Sequence, residues 1–202
     1  MRILSKNRFI SFHMIAKRIF DLIFSICGLI LLFLPMLILW VLIHIFMPGP
    51  AIYRQERLGL HGRPFILLKF RTMTLNAEVS GIQMTQVNDP RITPFGRFLR
   101  RFHIDELPQL VNILRGEMSL VGPRPERAYF YDQYAKTVPG FSRRLEVLPG
   151  LTGWAQVNGG YDLKPEEKLR YDMEYIHDQS LLLDIKCILL TAKTLLTGEG
   201  SR

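Results

Sequence analysis

Cysteine is almost missing from this 202-residue chain: Cys27 and Cys187 are the only two, each inside an apolar run. That excludes a disulfide-built scaffold and a cysteine metal cluster, so both read as small core or lipid-facing residues of a reducing compartment. Acidic residues are scarce in the first 76 positions, where ten Lys and Arg face only Asp21 and Glu56, while the remaining residues carry sixteen of each sign. The whole net charge of +8 therefore sits with the N-terminal third, as suits a face held against anionic lipid headgroups. No helix-turn-helix, zinc-finger or stacking-aromatic pattern accompanies the basic residues, which argues against nucleic acid as the reason for a pI near 9.7. Apolar residues make up 48% of the chain and charged ones 22%, a mixture that excludes both a multi-span membrane protein and an ordinary soluble one.

The excess apolarity is local. From Leu22 to Ile43 there is no charged residue, a length that reaches the roughly 20 residues a helix needs to cross a bilayer core. The run is too long for a cleavable signal peptide and no small-residue cleavage site follows it. Lys6, Arg8, Lys17 and Arg18 precede it and Arg54, Arg57 and Arg63 follow it, so the positive-inside rule assigns both ends to the cytoplasmic side. Pro35 lies near its centre and removes one backbone donor there. The expectation is a re-entrant helix-break-helix anchor over residues 1–48, with a kinked span as the alternative. Met47-Pro48-Gly49-Pro50 ends any helix, and residues 49–202 form the second unit.

In that unit, residues 51–73 read as a short β-hairpin turning at Gly59-Leu60-His61-Gly62, with Phe65 to Phe70 as its second strand. Alternation places Lys69 and Arg71 on one face of that strand, as a solvated edge or a phosphate contact. Residues 74–94 are polar and turn-rich, a loop suited to lie over a site. Phe95 to Phe102 reads as a basic amphipathic helix. Asp162 to Gln179 reads as a helix opened by Pro165, with Glu166 and Glu167 in its first turn. Leu181 to Leu196 reads as an apolar helix that packs on the core or lies at a membrane interface. The fold class is α+β: the anchor, then a mostly helical domain with a small β-hairpin or sheet.

The densest chemistry lies between His103 and Glu126. Asp105 and Glu106 precede an apolar-periodic run that has Pro108 near its start and Gly116 at its end, which puts both acids at a helix N-terminus. Asp105 is there either a plain N-cap or a reactive group. Arg100 precedes it by five residues, and Arg124 follows between Pro123 and Pro125. Two prolines fix the local backbone, and a guanidinium on a rigid stem suits a phosphate. A carboxylate so placed can attack phosphorus or hold a divalent cation that bridges phosphates.

These segments, in order, resemble the bacterial sugar transferases, the monotopic polyprenyl-phosphate phosphoglycosyl transferases. The resemblance runs through Lys17-Arg18-Ile19-Phe20-Asp21, Gly49-Pro50, Arg54-Gln55-Glu56-Arg57-Leu58-Gly59 and Lys69-Phe70-Arg71-Thr72-Met73. It continues with Asp105-Glu106-Leu107-Pro108-Gln109-Leu110, Ser119-Leu120-Val121-Gly122-Pro123-Arg124-Pro125 and Pro149 to Gly159. It implies an enzyme of the bacterial cytoplasmic membrane, facing the cytoplasm, that moves a sugar 1-phosphate from a UDP-sugar to undecaprenyl or another polyprenyl phosphate and releases UMP. Such enzymes begin capsule, exopolysaccharide, O-antigen or glycoprotein glycan assembly. Asp105 would then be the nucleophile and Glu106 would assist metal or proton transfer, with both as candidate ligands of Mg2+. Arg100 and Arg124, with Pro123 and Pro125 shaping the loop, would hold phosphates, and Lys69 and Arg71 would support them. The chain departs from the pattern at His103, where Ser or Thr is common, and at Leu34, where Ser is common. No additional N-terminal membrane helices are seen, as expected of a compact catalytic form. A non-catalytic membrane scaffold is the alternative use of the same anchor. The donor sugar is not readable from the residues, and a homo-oligomer is compatible with them.

Overall fold

A computed structural model describes residues 2–79, 81–86, 88–160 and 163–197, with side chains from 14 to 194 within those ranges. Helix α1 spans Arg2–Phe46. Strands β1 (Ile52–Leu58) and β2 (Pro64–Phe70) pair antiparallel, with Ile52 opposite Phe70 and Leu58 opposite Pro64. The expected hairpin is thus present, and its turn is a 3-10 turn over Leu60–Gly62. Helix α2 (Pro94–Arg101) is capped by Thr93, whose hydroxyl accepts from Gly96 N at 2.9 Å. Helix α3 (Gln109–Leu114) follows, then β3 (Ser119–Val121), α4 (Ala128–Thr137), β4 (Gly150–Thr152), α5 (Trp154–Asn158), α6 (Pro165–His177) and α7 (Leu181–Thr197). The α+β class holds. Helix α6 opens on Pro165 with Glu166 and Glu167 in its first turn, as expected, whereas Asp162 lies outside the described residues.

Two apolar clusters hold these elements together. Phe65 and Leu67 of β2 meet Leu110 and Ile113 of α3, Leu120 and Val121 of β3, Tyr175 of α6 and Cys187 of α7. On the other side, Phe70 and Leu99 meet Ile43, Met47 and Ala51. Strands β3 and β4 pair in parallel, with Ser119 opposite Gly150 and Val121 opposite Thr152. A methyl group on Gly150 would stand 2.1 Å from Gly122 N, so only glycine permits this approach.

No interruption of α1 is seen at Pro35, where a break is expected: the helix runs on through it. A proline forfeits one intrahelical hydrogen bond while its own φ remains helical, and here both flanks of the helix are anchored. Lys17, Asp21 and Ser25 are buried on the near side of Pro35, and Phe20 and Leu29 pack on the first cluster. Past Pro35, Met36, Leu39 and Ile43 pack on the second. This spacing of three or four residues is one helical stripe. Within residues 23–46 the opposite side of α1 is mostly apolar and exposed, with Ile30, Leu31, Phe33 and Leu34 among its most exposed side chains.

Polar contacts fix the stripe in place. Lys17 Nζ lies 2.7 Å from Asp184 Oδ2 of α7, and the Tyr175 hydroxyl reaches Oδ1 at 2.8 Å. Leu120 N donates to Asp21 at 3.1 Å. Arg18 donates to the carbonyls of Ile113 and Leu114 at 2.7 and 3.0 Å, adding to the Gly116 N bond on Ile113 O and supplying a donor to Leu114 O at the end of α3. Helix α7, for which two settings were open, packs Leu183, Cys187 and Ile188 on the core and turns Leu182 and Leu189 outward.

Candidate active site

Asp105 and Glu106 stand in a 3-10 turn, Ile104–Glu106, rather than in the first turn of an α-helix. His103 opens that turn in the left-handed region at φ 51. Helix α3 begins only after Pro108, and no side chain caps it. The plain N-cap role for Asp105 is thereby set aside. Both carboxylates are buried.

Three elements bring cations to this turn. Lys69 comes from β2, and its Nζ lies 2.6 Å from Glu106 Oε1. Arg124 comes from the loop after β3, donating to Glu106 Oε1 at 2.6 Å and to Oε2 at 3.4 Å. Arg100 comes from the last turn of α2, where its Nε donates to Thr72 Oγ1 at 2.8 Å. Sequence-predicted Asp105, Glu106, Lys69, Arg100 and Arg124 are thus one constellation, with Pro123 and Pro125 shaping the loop. Arg71 is placed elsewhere. Strand β2 ends at Phe70, so the alternation expected to align Arg71 with Lys69 stops short. Its guanidinium instead donates to the carbonyls of Met47 and Pro48 just past α1.

The two acids experience opposite fields. Burial pushes the Asp105 carboxyl above the ordinary range, with Lys69 opposing, Glu106 adding to the rise and Arg100 opposing. Burial acts on Glu106 too, but Arg124 and Lys69 outweigh it and hold that carboxyl well below its usual value. The surroundings therefore favour the ionised form of Glu106, while burial favours the protonated form of Asp105 until a cation or substrate stands beside it.

Residues that carried no role in the sequence reading hold this arrangement. Asn112, fully buried, accepts from Leu68 N at 3.1 Å and donates to Ile66 O at 2.7 Å and Glu117 Oε2 at 2.6 Å. It ties α3 to β2 and so sets Glu106 against Lys69. The backbone of the Pro-Arg-Pro loop is held from behind: Arg57 donates to Pro125 O at 3.0 Å and Arg144 to Arg124 O at 3.1 Å. Arg144 is paired with Asp172, and Glu126 lies 3.0 Å from Lys168 and 3.9 Å from each of Arg57 and Arg144. An asparagine on the apolar stripe between Val111 and Ile113 was the one local signal available; the ion network joins residues too far apart for any.

Among the described residues no group of three or more His, Cys, Asp or Glu gathers as a metal cage. The donors present still fit Mg2+, which is often held by one or two carboxylates together with substrate phosphates. Asp105 offers a hard oxygen, and Glu106 keeps lone pairs beyond those engaged by Lys69 and Arg124.

The model of the bacterial sugar transferase family matches residues 12–198. The chain belongs to that family. A bacterial sugar transferase of Aeromonas hydrophila, named UDP-N-acetylgalactosamine-undecaprenyl-phosphate N-acetylgalactosaminephosphotransferase, is 41% identical over 189 residues, covering 92% of this chain and 45% of its own. The UDP-glucose:undecaprenyl-phosphate glucose-1-phosphate transferase of Xanthomonas campestris pv. campestris is 44% identical over 188 residues, covering 90% of this chain and 39% of its own. The chain therefore spans less than half the length of those two relatives. The uncharacterized sugar transferase EpsL of Bacillus subtilis strain 168 is closer in size, 41% identical over 187 residues that cover 93% of this chain and 90% of its own.

Proposed function

We propose that the protein is a phosphoglycosyl transferase that moves a sugar 1-phosphate from a UDP-sugar to undecaprenyl or a similar polyprenyl phosphate and releases UMP, as a first membrane step of bacterial surface-glycan synthesis. The observation that carries this is the pair of adjacent buried carboxylates, one clamped by Lys69 and Arg124, the other without a cap role. Arg100, Lys69 and Arg124 draw in the donor diphosphate. Its negative charge needs cations on several sides, and a water-poor pocket makes each worth more than in solvent. Mg2+, when bound, offsets phosphate charge in the same place.

Asp105 attacks the sugar-bearing phosphorus as a carboxylate, whose ionised form Lys69 and Arg100 favour. One carboxylate oxygen bonds to that phosphorus while the bond from phosphorus to the bridging oxygen breaks, and the electron pair leaves with UMP. A phosphate oxygen of the polyprenyl carrier then attacks the same phosphorus. The acyl-phosphate bond breaks, returning the Asp105 carboxylate and yielding polyprenyl diphosphate sugar. Glu106, whose ionised form Arg124 and Lys69 favour, aligns both cations throughout.

The membrane setting is part of the same proposal, because one substrate is water-soluble and the other confined to the bilayer. The apolar run packs on the same body before and after Pro35 without a break, which supports an anchor that lies along the cytoplasmic face with its uncovered apolar side in the lipid. Basic helix α2 extends that face: Phe95, Phe98 and Phe102 line up beside Phe46 of α1, and Arg101 sits over Phe102. The test is Asp105→Asn in the full chain with UDP-sugars, Mg2+ and undecaprenyl phosphate. UMP release and product formation should fall by at least about 10³-fold, and intact-mass analysis of substrate-soaked wild type should find a phosphosugar adduct on Asp105. Wild-type turnover in the variant would refute the assignment and leave a scaffold role.

A further inference from the structure

Gln109 opens α3 four residues after Asp105 and is only 2% exposed, yet its side-chain nitrogen has no hydrogen-bond partner among the described residues. A buried donor left unpaired destabilises the fold, so a native protein seldom keeps one without a use. Arg57 repeats the pattern. Its Nη1 donates to Pro125 O and its Nη2 to Gln55 Oε1, which fixes the guanidinium, while its buried Nε is unpartnered. Gln109 and Arg57 line one cleft with Leu67, Lys69, Arg124 and Pro125. Every charged residue of that lining is a cation. Lys69 and Arg124 are held by Glu106 and Arg57 stands 3.9 Å from Glu126, so the spare groups of this lining are the two unpartnered donors. These complement an acceptor-only group, and phosphate oxygens are acceptors throughout.

We infer that Gln109 and Arg57 form a phosphate subsite beside the acid pair, the Gln109 amide nitrogen and Arg57 Nε donating to a substrate phosphate. This rests on the transferase reading above and adds two substrate-contacting residues to it. The shared chemistry fits either the nucleotide-side phosphate of the donor or the phosphate of the lipid acceptor. A structural glutamine and a ligand-binding one differ in a measurable way. Replacing an unpartnered donor by an apolar side chain of similar volume leaves stability unchanged or raises it, whereas loss of a ligand contact appears in binding.

The experiment is Gln109→Met in the full detergent-solubilised chain, with Gln109→Glu as a second variant that places a negative charge against the phosphate. Melting temperature, KM for the UDP-sugar, KM for undecaprenyl phosphate, and calorimetric affinities for UMP and inorganic phosphate are read together. Gln109→Met should melt no lower than wild type and bind inorganic phosphate about tenfold more weakly, and Gln109→Glu weaker still. A rise in donor KM and UMP dissociation constant assigns the nucleotide phosphate; a rise in acceptor KM alone assigns the lipid phosphate. Unchanged phosphate and UMP affinities with both KM values unmoved would overturn the subsite while leaving the transferase reading intact. Absence of UMP release by wild type across a UDP-sugar panel would fail that reading instead, and the phosphate titration would still decide the subsite.

Discussion

Glu126 lies one residue beyond the Pro-Arg-Pro segment, and its carboxyl shows how a single buried charge can govern a loop. Burial would raise its pKa, but Lys168, Arg144 and Arg57 together outweigh burial and hold it below the ordinary value. An acid whose folded pKa is depressed stabilises the fold above its unfolded pKa, near 4.3, and loses that contribution as pH falls through the folded value. Glu126→Gln should therefore be less stable than wild type at pH 7, by on the order of 3 kcal/mol, because buried Arg144 and the partly buried Arg57 and Lys168 lose a shared anionic partner. The gap should narrow as the buffer is taken below about pH 4, where wild type begins to protonate the same group. A gap that stays constant from pH 7 to pH 3 would mean that packing, not charge, accounts for the loss. The change should also slow turnover, since Arg57 and Arg144 hold the carbonyls that aim Arg124.

At the level of elements, Asn112 is where helix meets strand. Strand β2 has β1 on one side only, and the Asn112 amide supplies the missing partners to Ile66 O and Leu68 N on the other. Asn112→Leu keeps the volume but strands those backbone groups and Glu117, and should cost about 2–4 kcal/mol. If circular dichroism melts of the variant match wild type, this tie is not what joins α3 to β2. The example also marks what the chain discloses locally. The β-hairpin, α6 and α7 follow from turn residues, capping acids and periodicity within a few positions. The 3-10 turn under Asp105 does not, because His103 in the left-handed region sets it and no local pattern demands that. Three-residue strands β3 and β4 carry too little periodicity to be seen, and their partners are 31 positions apart. Lys69 and Arg71 diverge because the strand ends between them. The acids and Arg124 were legible as chemistry, whereas the groups that orient them came together only through the fold.

On the scale of the whole molecule, the proposed reaction requires a water-facing site to reach a substrate confined to lipid. Residues 14–46 form a helix long enough to cross a bilayer, and length alone would place its two ends on opposite sides. Packing argues otherwise. Lys17, Arg18 and Asp21 are bound to α7, α3 and β3, while Ile43 and Met47 are buried against β2 and α2, so both flanks belong to one body. Pulling either flank across a membrane would unpair Lys17 and Asp184 and bare a fully buried Ile43. Breaking a buried ion pair costs about 3–5 kcal/mol by itself. On the proposed reading, the uncovered part nearest Pro35, with Leu31 77% exposed, is the portion that meets lipid. Ser5→Cys in a Cys27→Ser background tests this, since Cys187 is buried in the core. A membrane-impermeant maleimide should leave intact cells unlabelled at position 5 and label it after permeabilisation, as it should a cysteine placed at exposed Arg143 of the globular part. Labelling of position 5 from outside, with position 143 still protected, would make α1 a span, and the packing of Lys17 on Asp184 could not then exist in the membrane-bound protein.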